Sequence, residues 1–577
     1  MREEYTGVML ARIESVACVG LESFLVEVEV DVAEKGFPGF SIVGLPDKAV
    51  AEARERVRTA LVNSGFTFPQ KKIIVNLAPA NLPKEGSAYD LPIAVGILLA
   101  NGDIEIKNSR NQELKNSKID GVEGDLPLRV PSSPTAVGMT SSIDEGKKLD
   151  SGSRHDGQAL PGMTSDDNDN YPGLFYGELS LDGSLRHTKG TLLVALFAKK
   201  ENKKRIFLPV LSANEAAVVS GIEVVPVRNL KDLIVHLMGI KKIESLKKIE
   251  IRSLVEAASP EFDMADIVGQ ESAKRALIIS AAGGHNILMS GPPGSGKTML
   301  SRALPGIMPL MSEEESMEVT RIYSAAGLMT AGEAVVRRRP FRSPHHSTSL
   351  AGLIGGGSRP VPGEVSLSHL GVLFLDEMAE FPRSVLESMR QPMEDGKVEI
   401  SRVAGRVEYP ASFQLVAAVN PCPCGYLGHP TKDCKCSMRE TEKYKRRISG
   451  PILDRIDLHI NVPAVETEKI LGTIAKGESS KNIREQVMKA RMKQHERLLV
   501  SGIFCNSQMK NKQVKEFCRL DIDGVHILKL AMEKFDLSAR SYFRVLKVAR
   551  TIADLEGSES ILAGHIGEAL QYRERVF

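Results

Sequence analysis

Gly291-Pro292-Pro293-Gly294-Ser295-Gly296-Lys297-Thr298 is the stretch on which the reading of this chain turns. It fits G-x-x-x-x-G-K-[ST], and its surroundings are those the motif requires. The apolar run 286–290 (NILMS) reads as a strand entering the loop, and 299–304 as a helix leaving it. Glycines let successive backbone N–H groups face phosphate oxygens, and the following helix N-terminus adds a favourable dipole. In that setting Lys297 reaches the β- and γ-phosphates of a nucleotide, and the Thr298 hydroxyl ligates Mg²⁺. A Gly/Pro turn that merely contains Lys-Thr would not come with both flanking elements.

Further along, Gly371-Val-Leu-Phe-Leu-Asp376-Glu377 reads as an apolar strand ending in two acids. A buried strand with two solvated acids at its end would look the same in isolation. After a P-loop it reads differently: Asp376 holds the Mg²⁺ shell and Glu377 polarises the attacking water. Residues 413–419 (FQLVAAV) form another buried parallel-type strand, which ends at Asn420. An amide there can orient the water between the γ-phosphate and Glu377. Gly450-Pro-Ile-Leu-Asp-Arg455-Ile-Asp457 places an arginine before an apolar strand, and Ser538-Ala-Arg540-Ser-Tyr-Phe-Arg544 opens a helix. In this order Asn420, Arg455 and Arg540 match sensor 1, arginine finger and sensor 2 of an AAA+ ATPase. Arg544, one helical turn on, is the alternative to Arg540.

The segments LFLDEMAEF, NPCPCGY, ISGPILDRIDLHI and LSARSYFRVLKVARTIADL resemble the YifB/ComM family of magnesium-chelatase-like AAA+ proteins. The similarity covers nearly the whole chain except one insertion. It implies an α/β chain with an amino-terminal ribosomal-S5-like (Lon-type) α+β domain over 1–238 and a linker over 239–258. An AAA+ P-loop core over 259–464 and a helical lid over 465–577 would follow. It also implies a homo-hexameric ring that hydrolyses ATP with Mg²⁺ at subunit interfaces and moves on single-stranded or branched DNA without reading sequence. Such a motor promotes branch migration in recombination and natural transformation. An arginine finger working in trans explains the oligomer, because Arg455 would complete a neighbour's site. The alternative is a chelatase-like ATPase that remodels a protein partner. Fold does not separate the two, since both use the same hydrolytic parts.

At 577 residues the chain has room for three or four domains. Its 75 basic and 73 acidic residues leave a net charge of +2, so DNA contacts must come from local patches. No stretch approaches the roughly twenty apolar residues that span a membrane. MREEYTGVMLARIES lacks the apolar core of a signal peptide. A cytoplasmic protein is the expectation.

Residues 24–33 (FLVEVEVDVA) alternate valines with acids, as a half-buried strand does. Asp47 caps a helix whose Val50, Arg54, Val57 and Leu61 share a face, with Gly65 at its end. Strands follow at 71–77, at 177–181 and at 222–227. These segments resemble the ribosomal-S5-like domain of Lon proteases, and Ser87 sits near their nucleophile position. Ser87 is displaced within that motif, and Lys189 falls where the proteases have glycine, so a collar contacting DNA or partners is the better reading than a peptidase. Residues from about 103 to 171 are rich in Ser, Asp, Asn, Gly and Lys without any period, and read as a disordered insertion. The lysine-rich stretch 239–258 reads as a helical link to the motor.

Cys422-Pro-Cys424 and Cys434-Lys-Cys436 form a C-x-C…C-x-C cluster suited to tetrahedral Zn²⁺, with free thiols and disulfides as the rival states. His429 could replace one ligand. Residues 397–409 read as a β-hairpin turning at Ala404-Gly405. In the helicase-like branch of AAA+ proteins such a hairpin lines the ring pore, where Arg402 and Arg406 would grip DNA phosphates. A merely solvated charged hairpin is the alternative. The segment 337–344 (RRRPFRSP), with His345-His346 and the glycine-rich run 352–357, matches a second pore loop.

Overall fold

The computed structural model describes residues 10–33, 36–105, 173–357, 360–402, 405–429, 431–448, 450–464, 477–535 and 537–573. The insertion expected over 103–171 therefore lies outside the described residues, apart from its first three.

A five-stranded parallel sheet forms the centre of the part that carries the P-loop. Its order is Phe341–Arg342, Val372–Leu375, Gln414–Val419, Ile287–Ser290, Leu458–Asn461. The strand leading into the P-loop thus lies between Gln414–Val419 and Leu458–Asn461, and Gln414–Val419 separates it from the acidic strand. Alternate residues feed two different cores, as the pleat demands. Ile287, Met289, Val372, Phe374, Val416 and Ala418 pack with the helices Glu271–Gly283, Lys297–Ile307, Ser480–Leu498 and Ala539–Glu556. Leu288, Leu373, Leu375, Leu415, Ala417 and Val419 face the opposite way, onto residues of the hairpin Lys397–Arg402/Gly405–Pro410 and its neighbours. Burial on both faces is why these strands read as unbroken apolar runs. All their C-terminal ends point to one edge, where the P-loop begins.

The hairpin forms over the expected stretch, with Val398, Ile400 and Tyr409 buried; Gly405, expected in the turn, lies instead in the second strand, paired with Arg402. The described residues from 477 to 573 carry the helices Ser480–Leu498, Asn511–Phe517, Ile522–Phe535, Ala539–Glu556 and Ala563–Gln571. The helix expected to open at Ser538 runs over Ala539–Glu556, and Ser538 caps it by accepting the Ser541 N–H at 3.2 Å.

The amino-terminal sheet runs Ala11–Val19, Glu22–Ala33, Lys72–Ala78, Gly39–Val43, with the last pair parallel. Val26, Val28, Val30 and Val32 are buried, as the alternation required. The apolar helix Asp90–Ala100 crosses this sheet so closely that a Cβ on Gly96 would stand 2.6 Å from Val30 Cγ2. Two expectations need correction. The helix after Asp47 breaks at Glu52 into Lys48–Ala51 and Ala53–Asn63, and its buried stripe takes Ala53 and Ala60 while Arg54 is exposed. The stretch 239–258 is not one helix, since only Ile251–Glu256 is helical. The Leu246 N–H instead donates to Val224 O at 2.9 Å and the Ile249 N–H to Ala217 O at 3.1 Å, so the backbone finds its partners in the second, three-stranded sheet region.

Ile251 and Val255 then join a core holding Val194 and Ala198 of the amino-terminal part and Met311 and Val319 of the P-loop part. Beside it the Ser324 hydroxyl donates to buried Glu215 at 2.7 Å. The two parts share apolar surface.

Candidate active site

Gly291 is fixed by crowding: a Cβ there would stand 2.2 Å from Val462 O. Gly294 and Gly296 are needed for conformation, with φ of 77° and 88°. Gly296 caps the helix Lys297–Ile307, so that helix aims its free N–H groups into the loop. Lys297 is only 8% exposed. Its ammonium donates to Gly291 O at 2.7 Å and Pro292 O at 2.9 Å, which fills the cradle from within. Burial pushes the Lys297 ammonium below its ordinary range, while the carboxylates of Asp376 and Glu377 act in the opposite sense.

The sheet edge brings the expected partners to this loop. Thr298 Oγ1 donates to Asp376 Oδ2 at 3.1 Å, a hydroxyl–carboxylate pair of the kind that ligates Mg²⁺. Asn420 Oδ1 accepts from Lys297 Nζ at 3.5 Å. Glu377 takes the left-handed conformation at φ 50°, unusual for a residue with a side chain, and its N–H is held by Asp376 Oδ1 at 3.0 Å. Lys297, Thr298, Asp376, Glu377 and Asn420 therefore form one constellation, whose donors and acceptors fit a Mg²⁺-bound nucleoside triphosphate.

The three arginines lie elsewhere in the chain's own contacts. Arg455 pairs with Glu394 and donates to Pro451 O. Arg540 pairs with Asp454 at 2.7 Å, and Arg544 reaches the same carboxylate at 3.3 Å and Ile456 O at 3.0 Å. Among the described residues none of the three hydrogen-bonds to Lys297, Thr298, Asp376 or Asn420. Arg544 is the more enclosed of the two helix arginines, at 15% exposure against 63% for Arg540.

Some partners of the site were invisible in the sequence reading. His346 Nδ1 lies 3.5 Å from Glu377 Oε2, although the histidine pair had been noted only as part of a pore loop. Gln270, at φ 59°, donates to Ser295 O at 3.3 Å and Pro463 O at 2.8 Å and so props the P-loop from behind.

The four clustered cysteines converge, and their sulfurs all lie within 4.8 Å of one another. His429 is not among them; its Nδ1 accepts the Thr431 and Lys432 N–H groups at 3.2 Å each. On the hairpin, Arg406 pairs with Glu399 and Lys397 with Glu408 at 2.8 Å. The Arg402 side chain lies outside the described residues. In the amino-terminal part Ser87 donates to Glu178, and buried Lys84 donates to Pro79 O. No helix among the described residues is long and apolar enough to cross a membrane.

Comparison with known proteins agrees with this geometry. A family model described as magnesium chelatase, subunit ChlI, matches residues 263–470. Models described as subunit ChlI of Mg-chelatase and as its C-terminal region match 28–118 and 477–573. Competence protein ComM of Haemophilus influenzae is 39% identical over 98% of each chain. The YifB protein of Escherichia coli is 37% identical over 98% of this chain and 97% of its own. The Holliday junction branch migration complex subunit RuvB of Paenarthrobacter aurescens is 29% identical over 36% of this chain and 52% of its own. The P-loop constellation and this full-length similarity together make the chain an AAA+ ATPase that belongs to the YifB/ComM family of magnesium-chelatase-like proteins.

Proposed function

We propose that this ATPase is a homo-hexameric DNA motor that drives branch migration on single-stranded or forked recombination intermediates. ATP and Mg²⁺ occupy the pocket of residues 291–298 with Asp376. Glu377 activates water and Asn420 orients it, while Arg455 of a neighbouring subunit and Arg540, or Arg544, answer the γ-phosphate. Residues 465–577 act as the lid, and the amino-terminal S5-like part (1–238) as a collar. The four-thiol cluster seats Zn²⁺, and the absence of a disulfide among these cysteines suits a reducing cytoplasm.

The observation that carries the DNA reading is where the hairpin is rooted. Strands Lys397–Arg402 and Gly405–Pro410 lie in the chain between Val372–Leu375, which Asp376 follows, and Gln414–Val419, which Asn420 follows. Movement of the hydrolytic residues is thereby passed to the hairpin, whose Arg402 and Arg406 meet phosphates without reading bases. Two relatives carry names that point the same way, one a competence protein and one a branch migration subunit. A chelatase-like remodeller of a protein partner is the second reading, favoured by the matched family description.

The test is branch migration of a fluorescently labelled four-way junction by the full chain with ATP. Strand exchange with wild type, absent with Arg402→Ala/Arg406→Ala although ATPase persists, supports the motor. Active ATPase with no effect on any junction or fork moves the assignment to the second reading.

A further inference from the structure

Four sulfurs close together admit three states: disulfides, free thiols or a metal site. Cys422 Sγ lies 3.4 Å from Cys424 Sγ and 3.6 Å from Cys434 Sγ, and Cys424 Sγ lies 3.6 Å from Cys434 Sγ. A disulfide needs about 2.05 Å, so these are not bonded pairs. A tetrahedral ion with metal–sulfur bonds of about 2.3 Å has sulfur–sulfur edges of about 3.8 Å, close to the spacing observed. Backbone N–H groups also point at the sulfurs: Cys424 N–H donates to Cys436 Sγ and Leu427 N–H to Cys422 Sγ, each at 3.4 Å. Such donors stabilise thiolate charge and orient metal ligands.

The position of the loop gives the cluster a task. Cys422 follows Asn420 by two residues, directly off the end of the strand Gln414–Val419. Cys436 immediately precedes Ser437, which caps the helix Met438–Lys445. An ion held by both pairs therefore ties the end of a core strand to the start of a helix. Between them, Gly425 closes a turn onto Cys422 O at 2.9 Å and adopts φ +82°. A Cβ at Gly425 would stand 2.6 Å from Cδ and 2.8 Å from Cγ of Pro293, inside the P-loop, and 3.8 Å from Cγ of Asn420. The cysteine loop rests on the phosphate cradle.

We infer that Cys422, Cys424, Cys434 and Cys436 bind one Zn²⁺ ion, and that this ion clamps the nucleotide pocket by holding Gly425 against Pro293 and Asn420 beside Lys297. The clamp rests on the ATPase reading of that pocket; the metal site does not. Removing the ion frees the loop, loosens the P-loop and weakens nucleotide binding before any chemistry.

The experiment uses the full chain, with zinc measured by mass spectrometry and nucleotide affinity by a fluorescent ATP analogue. Wild type is expected to carry one zinc per chain and to release it to a colorimetric chelator when a mercurial blocks the thiols. Cys434→Ser/Cys436→Ser is expected to lose zinc and bind nucleotide about tenfold or more weakly, with unchanged circular dichroism. Gly425→Ala is expected to keep its zinc yet lose affinity to a similar degree, which separates the clamp from general unfolding. Wild type without zinc and with all four thiols reactive overturns the site. Zinc-free or Gly425→Ala protein with wild-type affinity overturns the clamp. Zinc-loaded wild type that binds no nucleotide overturns the ATPase reading, and the clamp with it, while the metal site stands.

Discussion

His346 Nδ1 stands 3.5 Å from Glu377 Oε2, which links the carboxylate proposed to activate water with the segment proposed as a second pore loop. Beyond His346, Ser349 caps the short helix Leu350–Ile354. Gly355 follows, packed so tightly that a Cβ on it would stand 2.8 Å from Ile400 of the hairpin. His346→Ala is therefore expected to lower kcat by about tenfold with little change in KM for ATP, and to blunt any stimulation by DNA. Steady-state kinetics with and without forked DNA check this. An unchanged kcat in both conditions contradicts it.

The P-loop and the acidic pair should fail in different ways. Lys297→Ala removes the ammonium that lies in the cradle and should abolish nucleotide binding. Glu377→Gln leaves Lys297, Thr298 and Asp376 in place, so it should bind ATP normally while turnover drops by at least about a hundredfold. Equilibrium binding alongside phosphate release tests both. Equal turnover by Glu377→Gln and wild type would remove Glu377 from its role.

Arg455 is engaged by Glu394 of its own chain, away from its own P-loop partners. Arg455→Ala should keep nucleotide affinity and lose hydrolysis by about a thousandfold, the scale of an arginine finger. Mixed with Lys297→Ala subunits it should regain activity, because one subunit supplies the finger and the other the cradle. No recovery at any mixing ratio contradicts the trans geometry.

A pH effect should appear where the two parts of the chain meet. Burial pushes the Glu215 carboxyl up to about 7, against the lowering effect of the Ser324 and Thr191 hydroxyls. The folded chain therefore holds a proton there that the unfolded chain, titrating near 4.3, has released. This stability is full below about pH 4.3 and is lost as pH rises through about 7, on the order of 3–4 kcal/mol in all. Glu215→Gln keeps an acceptor for Ser324 and should flatten the fall. Urea midpoints between pH 5 and 8 test this, and a parallel slope in the variant would count against it.

Local patterns carried much of this architecture in the sequence. The apolar runs at 287–290, 372–375 and 414–419 read as buried strands because each feeds a core on both faces. The hairpin over 397–409 and the helix opening at Ser538 were legible for the same local reason. Long-range relations were not. No period in the chain says that Gly425 rests on Pro293, that His346 faces Glu377, or that Gln270 props Ser295. Such contacts depend on which loops meet at the edge of a sheet whose strand order is not the chain order. The linker misled for a related reason: its lysines suit a helix, but the backbone of 246–249 finds partners at Val224 and Ala217.

The central claim is that hydrolysis in this pocket is coupled to DNA. Its most direct test is the steady-state ATPase rate with no DNA, with single-stranded DNA and with forked DNA, across a salt series. Strong stimulation that fades as salt rises is expected, because phosphate contacts release counterions. A robust ATPase rate that no DNA alters at any salt would contradict it.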